Sequence, residues 1–218
     1  MQMTNRRNRF VYRLWAPVYD AVLERLFSPG RSRAMRVLSP QPGERVLLVG
    51  VGTGSDLPLL PPGAKAVGVD LSPAMLARAR ARLPLAGREI DLREADAQAL
   101  PFEDGSFDAV VLNLVLSVVP DPVACLREAL RVLRPGGRAV VFDKFLPEGA
   151  RLSLGRRLAN LVTSLLGTDI TRRLGDIVRG QSCTVASDEP SILGGLYRVA
   201  ILRRSSQGSP GEAEEVRR

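Results

Sequence analysis

The chain has 218 residues, 45% hydrophobic and 25% charged, the composition of a soluble globular protein with room for a large core. It contains no histidine, which excludes a Ser-His-Asp triad, a histidine general base and histidine metal ligation. Two cysteines, Cys125 and Cys183, cannot supply a disulfide framework or a four-thiolate zinc site, so no metal site is expected. No apolar run approaches the ~20 residues of a membrane span. No charged-then-apolar leader opens the chain, so a cytoplasmic location is expected.

The net charge of +8 is unevenly placed: residues 1–40 hold eight arginines against Asp20 and Glu24, and the remainder is nearly neutral. Such an arm points to an anionic partner: lipid headgroups, nucleic acid or an acidic substrate. The plainer reading is a solvated helix in an arginine-rich chain, since 29 of the 31 basic residues are arginine. Within the arm, Phe10, Val11, Leu14 and Trp15 stand beside Arg9 and Arg13. Pro17 interrupts, and Val18, Val22, Leu23, Leu26 and Phe27 continue at helical spacing. A basic amphipathic helix with interfacial aromatics suits an anionic membrane, at the inner face of the cell membrane. The same helix could pack over a cleft as a lid; the two readings are compatible.

After the arm, strands and helices alternate. Arg45–Gly50 is a continuous apolar run ending in glycine, read as a buried parallel strand, and Lys65–Asp70 is a second. Ser72 and Pro73 form an N-cap with proline at the first helical position, opening a helix over Ala74–Leu83. Glu89–Glu94 alternates with period two, as an outer strand does. Asp108–Leu112 is another buried strand. Asp121-Pro122 opens a helix carrying Val123, Leu126, Leu130 and Leu133, closed by Pro135-Gly136-Gly137, and Arg138–Phe142 is the next strand. Runs near Cys183–Ala186 and Leu196–Leu202 have no helix-length link between them and read as an antiparallel edge pair. The expected domain covers residues 41–204, with a leucine- and arginine-rich helical insert over 150–180 and a polar, disordered tail over 205–218. This order predicts an α/β fold: a doubly wound, mostly parallel sheet covered on both faces.

Gly50-Val51-Gly52-Thr53-Gly54 follows the first strand directly, so the backbone can turn sharply and approach a ligand. A dinucleotide loop wants G-x-G-x-x-G, but position 55 is Ser55, and no Gly-Lys-Ser/Thr follows as in a P-loop. Asp70 ends the second strand, where a carboxylate can accept both hydroxyls of a ribose. Asp96-Ala97 follows the third strand, where the aspartate can accept an exocyclic amino proton of a base. Each aspartate alone also fits a turn or cap. Together the three features lie along the crevice at the carboxyl ends of the strands, where open α/β sheets bind ligands.

The segments VLLVGVGTG, VGVDLSPAML, EADAQALPFEDGSFDAVV and LREALRVLRPGGRAVVFDKF resemble, in order, the motifs of class I S-adenosylmethionine-dependent methyltransferases over about residues 42–146. That resemblance implies a Rossmann-like, seven-stranded sheet whose last strand is antiparallel. It implies S-adenosyl-L-methionine as cofactor, with Gly50, Val51, Gly52, Thr53 and Gly54 along its methionine and ribose part. Asp70 would take the ribose hydroxyls, Leu71 and Met75 would flank the adenine, and Asp96 and Ala97 would meet its edge. Asn113 and Leu114 would border the methionine and the methyl group.

Tyr19-Asp20, Phe27, Gly30-Arg31 and the VVPDP of Val118–Pro122 also resemble bacterial phosphatidylethanolamine N-methyltransferases, and ubiquinone and menaquinone C-methyltransferases share the YD pair. These resemblances imply a lipid-like acceptor at a membrane face. Methyl transfer from a sulfonium is an in-line displacement with a neutral leaving group, so the protein mainly positions the two reactants. A base is needed only if the acceptor must lose a proton. Without histidine it would be a carboxylate, a tyrosine or water; the resemblances through the YD pair imply Tyr19 and Asp20 as the catalytic candidates. Two further readings are a methyltransferase for a soluble metabolite and a non-catalytic cofactor-binding module on nucleic acid. The arm's apolar content and lack of a nucleic-acid motif argue against the latter.

Overall fold

The computed structural model describes residues 24–85, 87–147, 149, 160, 163 and 168–206. Their elements are α1 (Glu24–Leu38), β1 (Arg45–Val49), β2 (Lys65–Asp70), α2 (Pro73–Ala81), β3 (Glu89–Glu94), β4 (Phe107–Asn113), α3 (Pro122–Val132), β5 (Leu133–Lys144), α4 (Leu174–Val178), β6 (Cys183–Pro190) and β7 (Tyr197–Arg204). The strands form one seven-stranded sheet in the order β3-β2-β1-β4-β5-β7-β6. β1 to β5 run parallel, and β7 is antiparallel to both β5 and β6. The fold is therefore the doubly wound α/β architecture expected, with the reversed strand next to the edge and β3 at the opposite edge.

Both faces of the sheet are buried because side chains alternate along every central strand. Leu47 and Val49 of β1 join Val110, Leu112, Val141 and the apolar stripe of α3 in one core. Val46 and Leu48 join Ala109, Val111, Val140, Phe142 and residues of α1 and α2 in the other. A strand buried on both faces reads as a continuous apolar run, which is why β1 and β4 were legible.

The helix starts are written in the sequence. Ser72 caps α2, its Oγ accepting the Met75 amide, and Pro73 occupies the first turn. Asp121 caps α3 by accepting the amides of Val123 and Ala124 at 2.9 Å, with Pro122 next. α2 ends at Ala81, two residues before the expected Leu83. α3 ends at Val132, and β5 begins at Leu133, five residues earlier than Arg138. Leu133 pairs with Phe107 before the register shifts, and Gly136 at φ 72° lets the strand bulge through Pro135-Gly136-Gly137.

α1 departs from simple rules, since Pro29 and Gly30 both lie inside it. Proline removes one helical hydrogen bond and glycine weakens an interior turn. Packing outweighs them: Phe27, Ala34, Met35 and Leu38 are buried against the sheet. Phe27 meets the rings of Tyr197 at 5.1 Å and Phe142 at 6.4 Å. Glycine is required at position 30 because an added Cβ would lie 2.2 Å from Phe142 Cζ. The arm before residue 24, most of the insert and the tail after residue 206 lie outside the described residues.

Candidate cofactor-binding and acceptor site

A cavity opens at the carboxyl ends of β1 to β4. Its walls include Gly50–Thr53, Asp70–Ser72 with Met75, Ala95–Ala97, and Asn113–Val115. Eleven of the twelve residues expected to meet the cofactor line it together. Gly54 is not among them. At φ 86° it packs under α2, where a Cβ would lie 2.9 Å from Leu57 Cδ1 and 3.1 Å from Ala79 Cα. The third glycine thus has a packing role under α2.

The glycine loop is held open by Asp70. Its Oδ2 accepts the Gly52 amide and its Oδ1 the Ser72 amide, both at 2.8 Å. Burial pushes the Asp70 carboxyl up from its usual range, and the amides of Ser72, Gly52 and Leu71 oppose that rise. Gly50 and Gly52 sit at φ 68° and 57°, a conformation that side chains rarely adopt. A Cβ on Gly52 would find nothing of the protein nearer than Gly50 O at 4.0 Å. The space in front of Gly52 is open to the cavity.

On the β3 side, Asp96 Oδ1 accepts the Gln98 backbone amide at 2.9 Å and its side-chain amide at 3.1 Å. Gln98 Oε1 accepts the Asp121 amide at 2.8 Å, so the loop after β3 is tied to the start of α3. On the β4 side, Asn113 is 3% exposed, and neither Oδ1 nor Nδ2 has a hydrogen-bond partner among the described residues. Leu114 follows at φ 60°, its amide donating to Phe142 O at 2.7 Å. A non-glycine residue held there stores backbone strain, which the ladder to β5 sustains.

Sequence reasoning gave no site role to two parts of the wall. Arg31 of α1 reaches the cavity, paired with Asp56 at 2.7 Å with both side chains buried. Its only sequence signal was the Gly30-Arg31 pattern. Val115, Val118, Val119 and Pro120 form an apolar wall after β4. That wall is clamped from behind: Asp143 accepts the Ser117 amide at 2.9 Å, and Arg172 donates to the carbonyls of Leu116 and Val119. Beyond it, burial pushes the Lys144 ammonium below its ordinary pKa, and Lys144 Nζ stands 5.5 Å from the Tyr197 ring centre. Tyr19 and Asp20, the catalytic candidates, lie outside the described residues. No group of three metal-ligating side chains occurs among the described residues.

The site fits an adenosine bearing an amino acid. Two carboxylates, a cradle of positive-φ glycines and an orphaned amide succeed one another across β3, β2, β1 and β4. Comparison with known proteins agrees. A methyltransferase domain model matches residues 47–141. The phosphatidylethanolamine N-methyltransferase of Cereibacter sphaeroides is 34% identical over 195 residues, covering 88% of this chain and 95% of that protein. The demethylmenaquinone methyltransferase of Thermus thermophilus is 44% identical over 137 residues, and the match spans 59% of this chain and 61% of that enzyme. Among solved structures, an S-adenosylmethionine-dependent methyltransferase of Thermotoga maritima superposes with TM-score 0.68 at 22% identity, covering 90% of this chain and 99% of that one. The [4+2]-cyclase SpnF superposes at 0.66 and 20% identity over 81% of this chain and 82% of its own, so the fold alone does not fix the chemistry. The chain belongs to the S-adenosylmethionine-dependent methyltransferases, and S-adenosylmethionine is its cofactor.

Proposed function

We propose that this methyltransferase acts on a lipid-like acceptor, foremost the amine of a phospholipid. One observation carries the reading. The similarity to the Cereibacter enzyme covers 195 residues, far more than the 95 or so of the cofactor domain, so it includes segments outside the cofactor motifs. Those segments determine the acceptor.

The bound cofactor supplies an electrophilic methyl group on a sulfonium with a neutral thioether leaving group. The chain's own residues bind, orient and exclude water. Asp70 holds the loop and offers its carboxylate to the ribose; Asp96 and Ala97 face the adenine edge. The wall of Leu114, Val115, Val118, Val119 and Pro120 suits the apolar part of an amphipathic acceptor. A phospholipid amine is an ammonium at neutral pH: it first gives its proton to water, and the free base then attacks the methyl group. The basic arm would bring the enzyme to an anionic surface. No described helix is long and apolar enough to cross a membrane. Trp15, the sole tryptophan, reports on that step: its emission should shift to the blue with anionic vesicles and less so at high salt.

A second reading, carbon methylation of a quinone precursor, is favoured by the demethylmenaquinone methyltransferase relatives. That acceptor must lose a proton, which returns Tyr19 and Asp20 as candidates for the base. The test offers methyl-labelled cofactor together with phosphatidylethanolamine vesicles, a demethylated menaquinol in neutral vesicles, and a pool of water-soluble metabolites. Label in the phospholipid supports the proposal. Label confined to the quinol selects the second reading, and label confined to the aqueous pool overturns both.

A further inference from the structure

Lysine is rare in this chain: Lys65 and Lys144 stand against 29 arginines. Lys65 opens β2 and is exposed. Lys144 ends β5 and is 9% exposed. An ammonium in such a place is costly unless an anion accompanies it. Among the described residues no carboxylate forms an ion pair with it. Asp143 accepts the amides of Ser117 and Lys144 at 2.9 and 2.8 Å. Asp169 accepts the amide and hydroxyl of Thr171 and faces the Arg172 guanidinium at 3.6 Å. Burial outweighs the pull of both carboxylates on Lys144, and the charge of Arg172 acts in the same direction as burial. The ammonium stands instead over the ring of Tyr197, its partner across the ladder of β5 and β7, 5.5 Å from the ring centre.

The sheet places this cation beside the cofactor cavity and not in it. Asn113 at the end of β4 is in register with Phe142, so β5 runs two residues further, about 7 Å, to Lys144. Alternation along β5 puts Lys144 on the face of Phe142, where Leu114 also packs. Leu114 lines the cavity and Lys144 does not. With adenine at Asp96 and ribose at Asp70, the cofactor fills the β1 to β3 side, and an acceptor must approach from the β4 and β5 side. The segment before α4 crosses that side: Asp169 donates its amide to Ser117 O and Arg172 O accepts the Leu146 amide, both at 2.8 Å. It brings the charge of Arg172 close to that of Lys144, so an anion arriving there meets two positive groups.

We propose that Lys144 is the ligand for the phosphodiester of the acceptor, pairing its ammonium with the phosphate of the phospholipid whose amine is methylated. The proposal rests on the phospholipid reading above. In an ethanolamine headgroup two carbons and an ester oxygen separate the amine from the phosphorus. A cation set past the methyl-transfer point, and not on it, matches that spacing. Lys144 then selects an amine that carries a phosphate over a plain long-chain amine.

Two lysines make the site directly observable. Protein labelled with ¹³C at lysine Cε gives a Lys144 signal and an exposed Lys65 reference in NMR. With S-adenosylhomocysteine bound, glycerophosphoethanolamine should move the Lys144 signal and leave Lys65 in place, and ethanolamine should move neither. An equal response to inorganic phosphate at the same concentration would mean a site for free phosphate and overturn the proposal, as would no response to the phosphodiester. Kinetics give the second arm. Lys144→Met should raise KM for phosphatidylethanolamine in mixed micelles about tenfold or more with kcat within about threefold, the mark of lost acceptor binding. Lys144→Arg should recover part of the loss, and KM for a phosphate-free long-chain amine should be the same in wild type and Lys144→Met. Affinity for S-adenosylhomocysteine within about twofold of wild type shows that the cofactor pocket is intact. Equal losses for both acceptors, or no loss for either, overturn the proposal while the phospholipid reading stands. A wild type that methylates the plain amine or another acceptor but never phosphatidylethanolamine would overturn the phospholipid reading itself, and the proposal with it.

Discussion

Asp70 and Gly52 are joined across two strands: the carboxylate at the end of β2 accepts the loop amide after β1 at 2.8 Å. The same carboxylate that would meet the ribose therefore shapes the loop that meets the methionine. Asp70→Ala removes both functions. Binding of S-adenosylhomocysteine should weaken by at least ~1–3 kcal/mol, through a lost charge-assisted acceptor and a loosened loop. Calorimetry checks it, and an unchanged dissociation constant would take Asp70 out of the site.

Burial raises the Asp70 pKa in the free protein, and ribose hydroxyls donate only to an available oxygen. Ligand binding should hold the carboxylate charged and lower its pKa. Cofactor affinity should then decline as pH falls through the free-protein value, with proton release on binding in that range. In Asp70→Asn the decline should vanish. A decline that persists unaltered in the variant would assign it to another group.

Gly52→Val should abolish cofactor binding with the fold retained. The residue sits at φ 57°, which costs a branched side chain about 1 kcal/mol or more, and its Cβ would project into empty cavity. A cooperative thermal transition without ligand-induced stabilisation is the expected pair of results. Normal ligand stabilisation would show that the loop lies elsewhere than against the cofactor.

Gly30→Ala would gain about 1 kcal/mol from helix propensity alone. The clash with Phe142 should outweigh it, because that ring is fully buried and has no room to retreat. Net destabilisation of about 1–3 kcal/mol is expected in denaturant titration, and Phe142→Leu in the same chain should recover part of it. Stabilisation by the single change would contradict the close approach of α1 to the sheet.

Glu128 accepts from Arg131 at 2.9 Å and from the Leu100 amide at 2.8 Å. The Arg131 hydrogen bond, foremost, holds its carboxyl below the usual range, against the opposing effect of burial. A depressed carboxylate stabilises the fold above its unfolded pKa, and that contribution is lost as pH falls through the folded value. Arg131 is partly exposed, so about 1 kcal/mol is at stake. Glu128→Gln should cost that much near pH 7 and nearly nothing in acid. An equal cost at both pH values would mean that charge is not the cause.

Much of the fold could be read from the sequence because its signals are local. Apolar runs marked β1, β2 and β4, and Ser72-Pro73 and Asp121-Pro122 marked helix starts that the caps explain. The early start of β5 was hidden because Pro135-Gly136-Gly137 reads as a break, while pairing with Phe107 carries the strand through it. At the site, residues that follow strand ends could be placed on one crevice by topology. Arg31 could not, because its position depends on α1 crossing the sheet over Phe142, a contact between residues more than a hundred apart. The packing role of Gly54 is hidden for a similar reason: it arises from Ala79 of α2, which motif spacing does not reveal.

The most direct measurement is a crystal structure with S-adenosylhomocysteine bound. Adenine should lie beside Asp96 and Ala97, the ribose hydroxyls on Asp70, and the amino-acid end between the glycine loop, Asn113 and Leu114. Density for the ligand in the opposite direction, or outside this crevice, would contradict the assignment of the site.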